Sequence, residues 1–287
     1  MIDWPAPAKI NLFLHITKQR DDGYHELQTA FQFLDYCDYL QFEITDDTTI
    51  QLLTPIPGVD NDSNLIVRAA RLLQQKINGA QGAKIRLDKR LPMGGGLGGG
   101  SSNAATTLVA LNHLWHAGLS VDELAQMGLV LGADVPVFIR GYAAWAEGVG
   151  EKLTRITPPE LWYIVIVPAC HISTAEIFSS PELTRDCEPI TIPRFLSGEG
   201  RNVCEQVVKQ NYPPVSEAID WLKQYAQPRM TGTGACVFAG FESQAQAQKV
   251  MTNLPVDWHG FVAKACNQSP LITGIIKFKV MTHLQRC

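Results

Sequence analysis

The chain has 287 residues, 46% of them hydrophobic and 18% charged, which is apolar material enough for a sizeable core and, at this length, for two domains. Its 24 basic and 28 acidic residues leave a formal net charge of −4, which removes any general electrostatic basis for binding nucleic acid. Seven scattered cysteines (Cys37, Cys170, Cys187, Cys204, Cys236, Cys266 and Cys287) include no CxxC pair, which argues for reduced thiols rather than a zinc site or a disulfide frame. No apolar run reaches membrane-spanning length and no signal segment opens the chain, so the expectation is a soluble, cytoplasmic protein.

In chain order, residues 8–16 alternate as a strand that ends in the turn Arg20, Asp21, Asp22, Gly23, and residues 27–44 continue with alternation suited to further strands. Asp62 or Ser63 is placed to cap a helix whose apolar face is Leu65, Ile66, Ala69, Leu72 and Leu73. A strand over 83–87 precedes a glycine-rich segment and a helix from about Ser101 to His116; a second helix follows Ser120, and residues 137–145 return to strand character. His113 and His116 sit three apart on the first of these helices with no acidic or cysteine partners nearby, which makes them structural. Residues 147–159, with their glycine and proline clusters, are the expected boundary between an N-terminal domain, 1–152, and a C-terminal domain, 153–287. Beyond it, 161–167, 235–239 and 261–265 read as strands. Helices and strands mix without a regular βαβ rhythm, so the fold class is α+β rather than a doubly wound sheet.

The segment Pro92, Met93, Gly94, Gly95, Gly96, Leu97, Gly98, Gly99, Gly100, Ser101, Ser102 sets six glycines and two serines ahead of an alanine-rich helix. Backbone without Cβ atoms can close on a ligand, and its N–H groups converge where a helix N-terminus adds positive potential, so the segment reads as a phosphate cradle. It is not a Walker loop: Gly95 to Gly100 has the opening spacing, but Ser101 stands where lysine is required. The GxGxxG of Gly94, Gly96 and Gly99 lacks the ribose-binding acid at the end of a following strand, because Asp122 and Glu123 follow Ser120 in a helix-start pattern. A second small-residue loop, Thr231, Gly232, Thr233, Gly234, suits the other wall of an interdomain phosphate cleft, or else a tight turn before a strand.

Pro7, Ala8, Lys9, Ile10, Asn11 and Leu12, then the glycine segment, then Thr231 to Gly234, stand in an order that resembles the GHMP small-molecule kinase superfamily. Asp22, Gly23, Tyr24, His25, Glu26 and Leu27, with Asn64, Leu65, Ile66 and the stretch 131–138, are similar to the branch whose acceptor is a cytidine diphosphate-linked polyol. The resemblance implies a two-domain α+β fold with the site in the interdomain cleft, and transfer of the ATP γ-phosphoryl group, with Mg²⁺, to a tertiary hydroxyl. It implies Asp134 as the base and Lys9 as the lysine beside it. It assigns ATP to the glycine segment, with Asn64 and Lys89 at the adenosine, Leu65 and Met93 lining an apolar pocket, and Ser101 or Ser102 at a phosphate or the metal. On the acceptor side it implies Tyr24 and Phe178 stacked on cytosine, His25 at the base edge, and Asn11 and Thr174 at the polyol or diphosphate. It identifies no metal ligand and implies neither a nucleic-acid nor a membrane partner.

Each residue also has a plainer reading. Asp134 before Pro136 suits a turn or a helix cap, and Lys9 is a strand lysine sharing a face with Asn11 and Phe13. Tyr24 and Phe178 suit a core, and Lys89 with Arg90 suits a solvated strand end. Two other functions fit the glycine loops: a kinase of another small alcohol, and a non-catalytic sensor on the same fold. The Tyr24–His25 pair, which neither homoserine nor mevalonate would need, and the presence of both Lys9 and Asp134 favour the cytidine-linked kinase.

Overall fold

A computed structural model describes residues 2–21, 23–79 and 81–284, so Asp22 of the turn motif and Cys287 lie outside the described residues. The elements are β1 (Trp4–Gln19), β2 (His25–Thr45), β3 (Ile50–Leu52), α1 (Leu65–Lys76), β4 (Gly82–Asp88), α2 (Gly99–Leu114), α3 (Val121–Leu131), α4 (Val135–Arg140), β5 (Ala144–Gly148) and β6 (Lys152–Arg155). There follow β7 (Trp162–Val167), α5 (Thr174–Ser179), α6 (Ile192–Leu196), α7 (Cys204–Asn211), α8 (Pro213–Leu222), β8 (Arg229–Met230), β9 (Val237–Phe241), α9 (Gln244–Met251), β10 (His259–Cys266) and α10 (Pro270–Leu284). This is the expected α+β class.

Strand β2 is the spine. Along one edge it pairs with β1 from Trp4↔Leu40 to Gln19↔His25. Its other edge is taken in succession by β5 (Leu27↔Gly148 to Phe31↔Ala144), β10 (Phe33↔Cys266, Leu34↔Ala265) and β4 (Tyr39↔Asp88 to Thr45↔Gly82). Strand β10 then carries the pairing on to β7, β9 and β8, so one hydrogen-bonded network joins both halves of the chain. The segment expected to hold several strands over 27–44 is a single 21-residue strand, because three different partners satisfy its polar groups in turn.

Local signals place the helices. Ser120 caps α3 in a reciprocal box with Glu123, as the Ser-x-x-Glu spacing predicts. The cap of α1 is Asn64, whose Oδ1 accepts from Ile66 N at 2.9 Å, rather than Asp62 or Ser63; Asp62 instead pairs with Arg71 at 2.8 Å. Residues 137–145 are not one strand: Pro136 sits in the first turn of α4, which runs to Gly141 in a left-handed C-cap, and the strand begins only at Ala144. Helix α2 starts two residues earlier than its apolar pattern implies, because Gly98, with φ +71°, serves as its N-cap, and it ends at Leu114, ahead of His116 with φ +52°.

Three apolar clusters hold the fold. Helices α1, α2 and α4 bury Leu73, Leu108, Leu111 and Phe138 against β1, β2 and β4; α7 and α8 bury Val207 and Leu222 with Ile164 and Val237 of the second half; a third cluster joins Ile10, Leu34, Trp145 and Val165. A register shift between Asn11 and Leu14 turns Phe13 away from the Lys9 face and into this third cluster, where it meets Trp145 and Phe195. His113 lies stacked on Trp4. Helix α10, from the far end of the sequence, returns to the first cluster through Leu271, Ile275 and Phe278. No helix among the described residues is long and apolar enough to cross a membrane.

Leu271 is 1% exposed. Leu271→Ala is expected to lower stability by about 2–5 kcal/mol, and its cavity lies in the cluster that carries α2. Urea unfolding monitored by tryptophan fluorescence checks this; an unchanged midpoint would show that α10 does not belong to that core.

Candidate active site

One cavity of about 990 Å³ is lined by β1, the start of β2, the glycine segment, the starts of α1, α2 and α4, α5 and the 231–234 loop. Every site residue predicted from the sequence lines it except Ser102, which is fully buried behind the α2 N-terminus with no partner for its Oγ.

Lys9 is central. Strand alternation aims it toward the glycine segment, and its own N–H donates to Leu97 O at 2.9 Å. Its ammonium, 3% exposed, donates to Asn11 Oδ1 at 2.6 Å and Gly96 O at 3.1 Å, and lies 3.2 Å from Asp134 Oδ2 and over the Phe31 ring. Asp134 occupies the N-cap position of α4 but caps nothing with its side chain, which faces Lys9 and is one-third exposed. Its side chain makes no capping bond, and the turn position before Pro136 is the part of the plainer reading that stands. A buried cation and a partly exposed carboxylate at this distance form a pair in which the lysine holds the carboxylate in place.

The glycine segment is stitched to the 231–234 loop across the chain. Thr231 Oγ1 accepts from Asn11 N at 3.0 Å and donates to Gly96 O at 3.1 Å, while Cys236 N donates to Gly95 O at 3.2 Å. Gly96 has φ +74°, and a Cβ there would stand 2.2 Å from Thr231 O, so only glycine fits. The N–H groups of Gly99, Gly100 and Ser101 precede the first helical hydrogen bond, Ser102 N to Gly98 O at 2.8 Å, and so have no partner within α2. The first turn of α2 carries no acidic side chain, which leaves its positive end available to an anion.

At the α1 end of the cavity, Asn64 is buried and Leu65 and Met93 supply apolar wall. Lys89 is not a solvated strand end: its Nζ donates to Asp38 Oδ2 at 2.8 Å and to Leu91 O. Asp38 is wholly buried on β2 and also accepts from Arg90 N and Leu91 N, each at 2.7 Å. No motif in the sequence marks this carboxylate, which positions the entry to the glycine segment. Its signal is an acidic residue flanked by Cys37, Tyr39 and Leu40 in an apolar strand, a place where a carboxylate is kept only with strong donors.

On the opposite side, Thr174 Oγ1 and Thr233 Oγ1 share a hydrogen bond of 3.0 Å, joining α5 to the second loop. Tyr24 is 64% exposed at the rim. Phe178 is stacked on His25 with ring centroids 5.2 Å apart. Arg185 donates Nε–H to His25 Nε2 at 3.2 Å, a contact with no precedent in the motifs because 160 residues separate the two. Burial and the Arg185 charge both push the His25 pKa below its usual value, which favours the neutral ring. No cluster of three or more His, Cys, Asp or Glu that could cage a metal occurs among the described residues.

Steric room separates fold from ligand binding. A Cβ on Gly100 would meet only Leu65 Cδ1 at 3.4 Å, whereas one on Gly96 meets backbone. Gly100→Ala is expected to leave the protein at least as stable, by up to about 1 kcal/mol, while weakening ATP; Gly96→Val is expected to damage both. Calorimetric titration with ATP beside thermal melts checks this, and undiminished affinity in Gly100→Ala would remove the α2 N-terminus from the nucleotide site.

Sequence profiles of the GHMP kinases N terminal domain and the GHMP kinases C terminal domain match residues 64–142 and 191–257. A 4-diphosphocytidyl-2-C-methyl-D-erythritol kinase of Nitrosococcus oceani is 59% identical over 277 residues, covering 96% of this chain and 99% of its own; one of Shewanella woodyi is 57% identical over 271 residues, covering 94% and 95%. Among solved structures, a 4-(cytidine 5'-diphospho)-2C-methyl-D-erythritol kinase is 30% identical with a TM-score of 0.81, covering 92% of this chain and 98% of its own. A mevalonate kinase at 16% identity and a TM-score of 0.70, covering 93% and 100%, shares the fold alone. With near-complete coverage at such identity, the chain belongs to the 4-diphosphocytidyl-2-C-methyl-D-erythritol kinase family of the GHMP kinases.

Proposed function

We propose that the chain uses ATP to phosphorylate the 2-hydroxyl of 4-diphosphocytidyl-2-C-methyl-D-erythritol, with Asp134 as the base and Lys9 as its partner. The observation that carries this reading is the Lys9–Asp134 pair at 3.2 Å inside the cavity that also holds both glycine loops and the Tyr24, His25, Phe178 group. The reading divides the chain at residue 152: the first part brings the nucleotide cradle and the ion pair, the second brings Thr174, Phe178 and the 232–234 loop. The protein would act in the cytoplasm on small molecules, with no nucleic-acid or membrane partner.

ATP would lie with its adenosine among Asn64, Leu65, Lys89 and Met93 and its phosphates over Gly94 to Ser101, where free N–H groups and the helix dipole meet the negative charge. The cytidine end would occupy the Tyr24, His25 and Phe178 end of the cavity, with Asn11 and Thr174 toward the diphosphate and polyol. The acceptor hydroxyl oxygen attacks the γ-phosphorus, the bond from that phosphorus to the β-bridging oxygen breaks, ADP leaves, and the hydroxyl proton passes to the Asp134 carboxylate. Lys9, 3.2 Å away, would hold the Asp134 carboxylate in line with the acceptor hydroxyl, so its contribution is placement. Magnesium would be held without a protein cage among the described residues: the Ser101 hydroxyl at the α2 N-terminus lines the cavity, and nucleotide phosphates would supply the remaining oxygen donors. When bound, the ion would offset charge on those phosphates.

Asp134→Asn is expected to lower kcat by roughly 10²–10⁴ with ATP affinity nearly intact. Lys9→Arg is expected to remain impaired, since a planar fork does not fit a socket made by Asn11, Gly96 and Asp134. Coupled ADP-release assays over a panel of alcohols, including mevalonate and homoserine, test the assignment; turnover of Asp134→Asn near the wild-type rate would exclude it as the base. Tyr24→Ala and Phe178→Ala should raise KM for the cytidine substrate by the equivalent of about 1–3 kcal/mol each and leave KM for ATP nearly unchanged.

A further inference from the structure

The hydrogen bonds of Arg185 reach beyond bracing a loop. Its guanidinium donates Nη2–H to Phe178 O at 2.8 Å and Ser180 O at 2.7 Å, and Nη1–H to Leu183 O at 3.1 Å. Three carbonyls thus fix the plane of the group and aim its Nε–H at His25 Nε2. A guanidinium has no acceptor and does not lose its proton, so in this contact the imidazole nitrogen must accept. A neutral imidazole that accepts at Nε2 carries its hydrogen at Nδ1. We infer that Arg185 is a positioning residue for base selection: it locks His25 in the Nδ1–H tautomer, so that the ring meets the substrate base as an obligate hydrogen-bond donor, directed at N3. This rests on the placement of the cytidine end proposed above.

The chemistry of the two pyrimidines makes that lock selective. N3 of cytosine is an acceptor, whereas N3 of uracil bears a hydrogen, so an imidazole held as a donor pairs with the first and opposes the second. An unrestrained neutral imidazole can present either a donor or an acceptor by changing tautomer and would serve both bases. Phe178 and Tyr24 offer ring faces that do not distinguish them, since stacking is tolerant of base identity. Burial and the Arg185 charge also disfavour protonation of His25, which would convert Nε2 to a donor and break the Arg185 contact.

The test combines spectroscopy on the unaltered protein with kinetics on variants. Histidine ¹⁵N and ¹³C shifts of the wild-type protein should show His25 Nε2 unprotonated and Nδ1 protonated; a proton on Nε2 would overturn the inference without any variant. In Arg185→Gln both tautomers should appear, and the ratio of kcat/KM for the cytidine substrate over its uridine analogue should fall by about tenfold, chiefly through KM of the cytidine substrate. In a cycle with His25→Ala, Arg185→Gln should change the ratio no further, because it acts through the imidazole. An unchanged ratio in Arg185→Gln, or an equal loss for both bases that adds to the effect of His25→Ala, would reduce Arg185 to a loop brace. A wild-type protein with no preference for the cytidine substrate would instead overturn the proposed acceptor, and the tautomer would still be read directly from the spectra.

Discussion

The site depends on a buried ammonium ion. Lys9 Nζ lies almost out of reach of solvent, and a charge so placed is tolerated only when paired and hydrogen-bonded. Its partners come from three separate elements: Asn11 two residues along β1, the Gly96 carbonyl in the glycine segment, and Asp134 at the start of α4. Satisfying one cation therefore brings together the phosphate cradle and the carboxylate beside which phosphoryl transfer would occur. In the proposed mechanism the requirement that stabilises the fold would also set the reacting geometry, and a lysine that left this position for solvent would release both.

The second constraint is backbone proximity. Thr231 Oγ1 bridges the Asn11 N–H and the Gly96 carbonyl, and Asn202 Nδ2 holds the carbonyls of Met230 and Gly232 from behind. The approach at Gly96 is so close that no side chain could stand there. Two loops more than a hundred residues apart thereby form one rigid wall, supported on β1 and on the sheet that β10 carries across the molecule. The opposite end of the cavity is built differently, from the exposed Tyr24 and from α5, a helix of six residues tied back by Arg185 and by the Thr174–Thr233 contact. In the proposed reading, phosphate recognition would rest on fixed backbone and base recognition on side chains whose positions depend on a few hydrogen bonds.

Asp38 shows how an interior charge serves a site that it does not line. It lies on β2, the strand that organises the sheet, and gathers two backbone N–H groups and Lys89. Those donors belong to residues 89–91, the entry to the glycine segment, so the carboxylate fixes where that segment leaves β4. Lys89 consequently reaches the cavity as half of an ion pair, and its charge there is largely spoken for.

Much was legible in the chain because the signals are local. Ser120 and Glu123 determine a capping box within one turn; the glycines from Gly94 to Gly100 announce a backbone that must approach something closely; the alternation along residues 8–16 separates Lys9 and Asn11 from the apolar face. The order of the motifs, the α+β class and the family follow from the sequence by itself. Tertiary structure decided the rest, wherever the deciding atom lies far away in sequence. Asn64 rather than Asp62 or Ser63 caps α1, because capping depends on backbone angles that the surrounding turn sets. Residues 135–140 are helical despite their apolar, strand-like composition, because they close over α2 and α3 rather than join a sheet edge. A register shift between β1 and β2 sends Phe13 to the opposite side from Lys9, and no alternation rule reveals a bulge whose cause is a partner strand. The Lys9–Asp134 pair and the Arg185–His25 contact span 125 and 160 residues respectively, and only folding brings such groups within hydrogen-bonding distance. Residue type states what each side chain is able to donate, accept or bury; which of these capacities is used depends on the neighbour that the packed chain supplies.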